Sequence, residues 1–309
     1  GASGFSSIED FVMNAVVKEV ASGFFTDGLP NDEYHKPEKG LSTSDIKRMD
    51  DPASIIWNRT AEQDTSKLSA VDFGTDFHLY FLESDSFHEK CQVLPVFNRR
   101  KPAEKQEELD MIADWKSKGI IPVTNEDFNK CKAMRESALA HPTIAAIMAL
   151  GGIAERSYFW TDPKTGVECK CRPDLLVLDI NDSNRPSFMP AHCTTLVFDV
   201  KTIAQIGRIQ NQIEELQYFV QDAFYTRGIE QVTGSKVFFC FGFVSTSLSL
   251  GRYPVKVVAL SDTAKFDGRR LIDEKLAEYS ALSAGDKSSW QTIVEMDRPY
   301  WATKDEDLL

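Results

Sequence analysis

The chain has 309 residues, 42% of them hydrophobic and 27% charged, an ordinary globular composition that fits one large domain or two small ones. Its formal net charge of −12 argues against a generally basic coat for nucleic acid, while leaving room for a local basic channel. The 6 cysteines (Cys91, Cys131, Cys169, Cys171, Cys193 and Cys240) lack the spacing of a small disulfide-stapled secreted domain.

The chain opens Gly1-Ala2-Ser3-Gly4 with no Met, as either a cleaved chain or a piece of a longer protein would. Apolar spacing predicts an amphipathic helix over 7–22. Within it Glu9, Asp10, Lys18 and Glu19 break any hydrophobic leader, and no run is apolar for long enough to span a bilayer. A cytoplasmic protein with no membrane contact is expected. Residues 26–40, with Pro30, Pro37 and several charges, predict a loop. Ser44 is the expected cap of a helix over 45–50, with Pro52 soon after. A helix over 68–83 turns Phe73, Phe77, Tyr80, Phe81 and Leu82 inward and also carries His78.

"NRRKPAEK", 98–105, is a basic loop leading into a helix over about 103–118. Arg99, Arg100 and Lys101 are candidate DNA contacts, weighed against the common case of a solvated charged loop. Thr124 or Asn125 caps a helix over 125–138, and Pro142 opens another that ends near Gly151 and Gly152. The pattern then turns to strands at 156–161, 167–180 and 194–200. A long helix over 204–225 follows, then strands at 236–245 and 254–261 and a last helix over 263–282. This order predicts an α/β fold, a core with a mixed central sheet flanked by helices. One domain over 1–309 is expected: a helical part over 1–150 packed on a core over 151–285, and a tail over 286–309. Cys169 and Cys171 form a C-x-C that zinc or an iron–sulfur cluster could use, but no second Cys pair or paired His stands at ligand spacing. Buried reduced thiols are the expectation.

In "LVFDVKT", 196–202, an acid and a base stand two apart on an apolar strand, so Asp199 and Lys201 project from one face. A carboxylate there can bind Mg²⁺, the Val200 carbonyl can add an oxygen, and Lys201 can orient a water or stabilise charge developing on a phosphate. Alone, such a D-x-K reads as a surface ion pair. Upstream, "CRPDLLVLDI" sets Asp174 directly after Pro173 at the start of an apolar strand. Hairpin pairing would bring Asp174 and Asp199 within reach of one metal ion. The intervening "NDSNRPSFMPAHC", 181–193, exceeds the usual hairpin loop of about two to five residues; the pair survives if this segment is a surface loop. Gln221 and Tyr225 in "VQDAFY" are four apart and share one helical face.

Pro-Asp followed by acid-x-Lys is the pattern of the PD-(D/E)xK nuclease superfamily, and Gln-x-x-x-Tyr belongs to its RecB-like branch. Over about residues 40–245 the chain resembles the RecE exonuclease family, the nuclease domain of exodeoxyribonuclease VIII. The likeness is carried by "LSTSDIKRMDDPASIIWNR", by the Gly-x-x-x-His helix "FGTDFHLYFLE", by "ERSYFWTDPKTGVECKCRPDLL", by "VFDVKT" and by "YFVQDAFY". It implies the restriction-endonuclease-like core and a Mg²⁺-dependent exodeoxyribonuclease, with Mn²⁺ substituting. Asp174, Asp199 and the Val200 carbonyl become expected metal ligands and Lys201 the catalytic lysine. His78 is expected beside the metal, and Glu155 at an acidic position that binds or organises it. Gln221 and Tyr225 would position the lysine or meet DNA near the scissile phosphate, and Arg172, beside the Pro-Asp pair, would contact DNA. The resemblance further implies processive 5′ to 3′ digestion of duplex ends, 3′ overhangs for recombination by annealing, a ring-like homotetramer and a RecT-type single-strand annealing partner. A RecB-like nuclease for single-stranded DNA and a catalytically inactive DNA-binding subunit stay open as alternatives; the complete set of Asp174, Asp199 and Lys201 argues against the second.

Overall fold

The computed structural model describes residues 18–20, 23–36, 39–49, 55, 73–284, 293 and 295. Three sheets form among them. One joins β1 (Lys18–Val20), β2 (Gly23–Thr26), β6 (Ser157–Thr161) and β7 (Glu168–Cys171), and a small one pairs β3 (Cys91–Val93) with β4 (Ile121–Val123). The third, central sheet runs β11 (Val255–Val258), β10 (Val237–Ser245), β9 (Thr195–Ile203), β8 (Leu175–Val177) and β5 (Ile153–Ala154). Its β9 and β10 are parallel and its other pairings antiparallel, so it is mixed.

The helices are α1 (Asn31–Tyr34), α2 (Thr43–Lys47), α3 (Phe73–Leu82), α4 (Ser84–Lys90), α5 (Pro102–Ser117), α6 (Asn125–Leu139), α7 (Pro142–Ala149), α8 (Ile209–Glu215), α9 (Tyr218–Thr233) and α10 (Asp262–Ser283). No helix among the described residues is long and apolar enough to cross a membrane.

Alternation along β9 divides the core. Leu196, Phe198 and Val200 pack toward Phe77 and Phe81 of α3, Met134 and Ala138 of α6, and Ile144 and Ile147 of α7. Val197 and Ile203 pack on the opposite side, with Val220, Phe224 and Ile229 of α9 and Ile272 and Leu276 of α10. A strand buried on both faces reads as a continuous apolar run, which is why "LVF" carries no polar break. Asp199 and Lys201 fall on the α9 side by the same period of two.

Several boundaries differ from the sequence expectation. The predicted helix over 7–22 ends in strand: Lys18 pairs with Phe25 and Val20 with Gly23, and β2 in turn pairs with β6. Residues 7–17 of that helix, and 68–72 of the one over 68–83, lie outside the described residues. The predicted loop over 26–40 contains α1. The cap of α2 is Ser42 rather than Ser44, because Asp45 at the third helical position completes a capping box: its carboxylate accepts from the Ser42 amide at 2.7 Å. Thr124 caps α6 as expected, and Pro142 opens α7.

The predicted strand over 167–180 is two strands in two sheets. Cys171 pairs with Tyr158 in one, and Leu175 with Phe198 in the other. Pro173 lies between them, and with no amide proton it cannot continue a ladder. The predicted helix over 204–225 also divides. A 3-10 turn at Ile206–Arg208 leads into α8, and α9 begins after Gln217, which takes a left-handed conformation with φ of 49°. That costs a non-glycine residue on the order of 1–3 kcal/mol. Packing of the next residue offsets it: Tyr218 is buried and stacks on Phe241 at 5.4 Å. The expected chain end over 286–309 is described only at residues 293 and 295.

The docking of α9 leaves no room at Gly228. A Cβ there would lie 2.4 Å from Cζ3 of Trp160, whose ring is buried against Phe224. Alanine would gain about 1 kcal/mol of helix propensity but meet an overpacking cost of about 1–3 kcal/mol. Gly228→Ala is therefore expected to lower the urea midpoint and the melting temperature. A more stable variant would show that α9 does not press on Trp160 as described.

Candidate active site

β9 delivers Asp199 into the core at 1% exposure. An isolated buried carboxylate costs several kcal/mol, so the surroundings must answer it. Lys201, two residues on and on the same face, contacts Oδ1 through its ammonium. Gln221 of α9 donates from Nε2 to Oδ2 at 2.6 Å. Burial, and then the nearby Asp174 carboxylate, push the Asp199 pKa up, against the pull of Lys201. For Lys201 burial is the largest single influence and acts downward, but Asp199 and Asp174 outweigh it and hold the lysine above its ordinary range.

β8 delivers the second acid. Leu175 pairs with Phe198 in antiparallel register, which sets Asp174, one residue earlier, opposite Asp199. The Asp174 Oδ2 accepts from the Val200 amide at 2.7 Å and lies 3.3 Å from Nδ1 of His78 on α3. Glu155 follows β5 in a left-handed conformation (φ 53°), and its amide donates to the Asp174 carbonyl at 3.3 Å. Burial, then the charge of Asp174, raise the Glu155 carboxyl to about 8. The structure thus brings Asp174, Asp199, Lys201, His78 and Gln221 together and places Glu155 alongside. Among the described residues no three His, Cys, Asp or Glu side chains stand in metal-holding geometry. Asp174, Asp199 and the backbone near Val200 offer hard oxygens, a set that would suit Mg²⁺ or Mn²⁺ rather than a soft metal.

Tyr225, one turn beyond Gln221, packs edge-on against Phe239 at 6.1 Å, and burial raises its phenol far above the usual range. Arg172 is buried rather than turned outward. It donates to the Ser157 hydroxyl at 2.8 Å and to the Leu29 carbonyl at 3.0 Å, and lies 4.0 Å from the Tyr34 ring centroid. It braces the two sheets' connection and leaves little of itself for DNA. Arg99 is held by both oxygens of Glu108 at 2.8 and 2.6 Å, and Lys101 by Glu104 at 2.7 Å. Arg100 is exposed, its amide donating to Asn98. Cys169 and Cys171 are free and buried, and burial pushes both thiols up, as inert core sulfurs require.

Two residues of the site lie in stretches that carry the resemblance but are assigned no role by it. Tyr218 lies with its ring centroid 5.2 Å from the Lys201 ammonium. Lys47, at the end of α2, lies 5.1 Å from the same centroid.

No curated protein matches the chain. The crystal structure of a protein from Eubacterium rectale, described as a "putative exonuclease", is similar in fold, with a TM-score of 0.50 at 12% identity, covering 88% of this chain and 96% of that one. Residues 42–290 match the family model of a PDDEXK-like domain of unknown function, DUF3799. The chain belongs to this PDDEXK-like family, and its paired acids and lysine sit where the mixed sheet and α9 meet.

Proposed function

We propose that the protein is a Mg²⁺-dependent exodeoxyribonuclease that degrades linear double-stranded DNA from its ends, with Mn²⁺ able to substitute. The observation that carries this reading is the meeting of Asp174, Asp199 and Lys201 at one point of a PDDEXK-like fold. Burial first, and then the charge of Asp174, raises the carboxyls of Asp199 and Glu155, a condition that a divalent cation would relieve. Asp174, Asp199 and the Val200 carbonyl would hold that cation, with Glu155 and His78 beside them. Bound there, it would polarise the scissile phosphate and lower the pKa of the attacking water.

The protein's own groups do the rest. Gln221 fixes the Asp199 carboxylate and so the position of Lys201, which shares it. His78 and the Val200 amide hold the Asp174 carboxylate in one orientation. Lys201 faces the phosphate, orients the water and stabilises the charge that develops on the phosphoryl oxygens. The RecE-like pattern supports the finer reading: processive 5′ to 3′ digestion that leaves 3′ overhangs for annealing, within a single domain assembled as a homotetrameric ring and working with a RecT-type annealing protein. The fold shared with the Eubacterium rectale protein is consistent with exonuclease action.

Digestion of a linear duplex labelled at either the 5′ or the 3′ end, in Mg²⁺ or in EDTA, tests this directly. Release of 5′ label first, only with metal, is the expected result. Degradation of single strands alone would favour the RecB-like alternative, and no digestion in Mg²⁺ or Mn²⁺ would refute the nuclease.

Asp174→Ala, Asp199→Ala and Lys201→Ala are each expected to abolish digestion. Lys201→Arg keeps charge but exchanges a compact ammonium for a planar fork. It should bind duplex ends in Ca²⁺ about as well as wild type yet cleave at least roughly a hundredfold more slowly in single turnover. Normal cleavage, or equal loss of binding and rate, would make Lys201 a docking charge.

Metal binding has a readout independent of activity. Mg²⁺ added to metal-free protein should raise the melting temperature, since a ligand of the folded state stabilises it. Asp174→Ala and Asp199→Ala should lose that rise. A rise retained in both variants would place the cation elsewhere.

A further inference from the structure

Helix α2 ends on Lys47, which lies within the "LSTSDIKRMDDPASIIWNR" stretch of the resemblance but is given no role by it. The Lys47 ammonium lies 5.1 Å from the centroid of the Tyr218 ring, and the Lys201 ammonium 5.2 Å from the same centroid. That ring is a fixed platform. It stacks on Phe241 at 5.4 Å, and its hydroxyl accepts from Nε2 of Gln212 at 3.2 Å. It holds an ammonium from the N-terminal part of the chain beside the lysine of the D-x-K strand.

The two cations differ in their company. Lys201 contacts Asp199. Lys47 is half-buried and, among the described residues, has no carboxylate within ion-pair reach. Burial first, and then the charge of Lys201, lower its pKa to about 8, with Asp199 opposing. A partly desolvated cation with a like charge nearby is unfavourable in the free protein, and an anion entering between the lysines would relieve it.

Lys47 is also not needed to hold its helix. The Ser42–Asp45 capping box fixes the start of α2, Leu41 bridges to Cys169, and Ile46 and Met49 are buried in the core. The ammonium is the part of α2 left over once packing is satisfied.

We infer that Lys47 is a DNA-phosphate contact of this site, gripping a backbone phosphate next to the one that Lys201 faces. The inference rests on the nuclease reading and adds a positioning residue to it. It also gives the N-terminal helical part a share in substrate binding.

Lys47→Met and Lys47→Arg test it, with affinity for a short linear DNA duplex measured in Ca²⁺ over a series of salt concentrations. Lys47→Met is expected to weaken binding roughly tenfold, the scale of one charge-assisted contact. It should also flatten the slope of log affinity against log salt by roughly 0.7–0.9, the effect of one lost phosphate contact. Its melting temperature should equal or exceed that of wild type, because an unfavourable cation is gone. Lys47→Arg should keep the slope. Wild-type affinity and slope in Lys47→Met would overturn the inference, as would weaker binding with an unchanged slope and a lowered melting temperature. If wild type binds duplex and Lys47→Met binds equally well, only Lys47 is reassigned. If wild type binds no DNA at all, the inference falls together with the nuclease reading.

Discussion

The structure depends on one carboxylate placed where a strand has no water to offer. Asp199 sits on β9, between two apolar faces, at 1% exposure. A charge in that position is tolerated only with excellent geometry and full hydrogen bonding. Lys201 answers one oxygen because the strand's period of two puts it on the same side. Gln221 answers the other, and Gln221 can do so only if α9 lies against the sheet at one depth and one rotation. The left-handed Gln217 and the glycine against Trp160 are conditions of that docking. Features that look unrelated along the chain are thus consequences of one buried acid.

The second acid is held on different terms. Asp174 lies at the start of a short strand, and its carboxylate receives a backbone amide from the neighbouring strand and approaches His78 on α3. The two acids are therefore tied to opposite layers: Asp199 to α9 on one side, Asp174 through His78 to α3. Neither layer alone completes the site. Lys47 adds α2 to this arrangement, reaching the site over Tyr218. Acids and cations meet at a seam between elements from both halves of the chain, and a phosphodiester with its metal ion would be gripped from several elements at once.

Much of this was legible in the residues, and the rest was not for definable reasons. The alternation in "LVFDVKT" correctly puts Asp199 and Lys201 on one face, because side-chain direction in a strand is a local property. The cap at Thr124 and the start at Pro142 are local in the same way. What failed was decided at a distance. Pro173 marks a break, but nothing near it says that Cys171 pairs with Tyr158 while Leu175 pairs with Phe198. Gln217 has no helix-breaking chemistry; the packing of Tyr218 imposes its conformation. The strands at Cys91–Val93, Ile121–Val123 and Ile153–Ala154 are too short to show a period. Lys47 looks like any surface lysine in "SDIKRMDD", since Tyr218 and Lys201, which it approaches in space, are remote from it in sequence. Arg172 stands beside the Pro-Asp pair yet is consumed by Ser157, Leu29 and Tyr34.

The segment over 181–193 shows why the acid pair tolerates an unusual connection. Pairing proceeds from Leu175 with Phe198 to Val177 with Leu196, and the Ile180 amide then donates to the Thr194 carbonyl at 2.9 Å. The extra residues lie beyond that point, at the end of the hairpin remote from Asp174 and Asp199. There Arg185 gathers them by donating to the carbonyls of Pro190 and Cys193. Lengthening a loop costs little free energy, about 0.6 kcal/mol per doubling. Register is a different matter, because a slip of one residue would turn Asp199 and Lys201 to the other face. The register-specific contacts of Asp199 with Gln221 and Lys201, and of the Val200 amide with Asp174, oppose that slip whatever the loop does. The distance between the acids is therefore set by strand packing, and the hairpin tip can vary in length without moving either carboxylate.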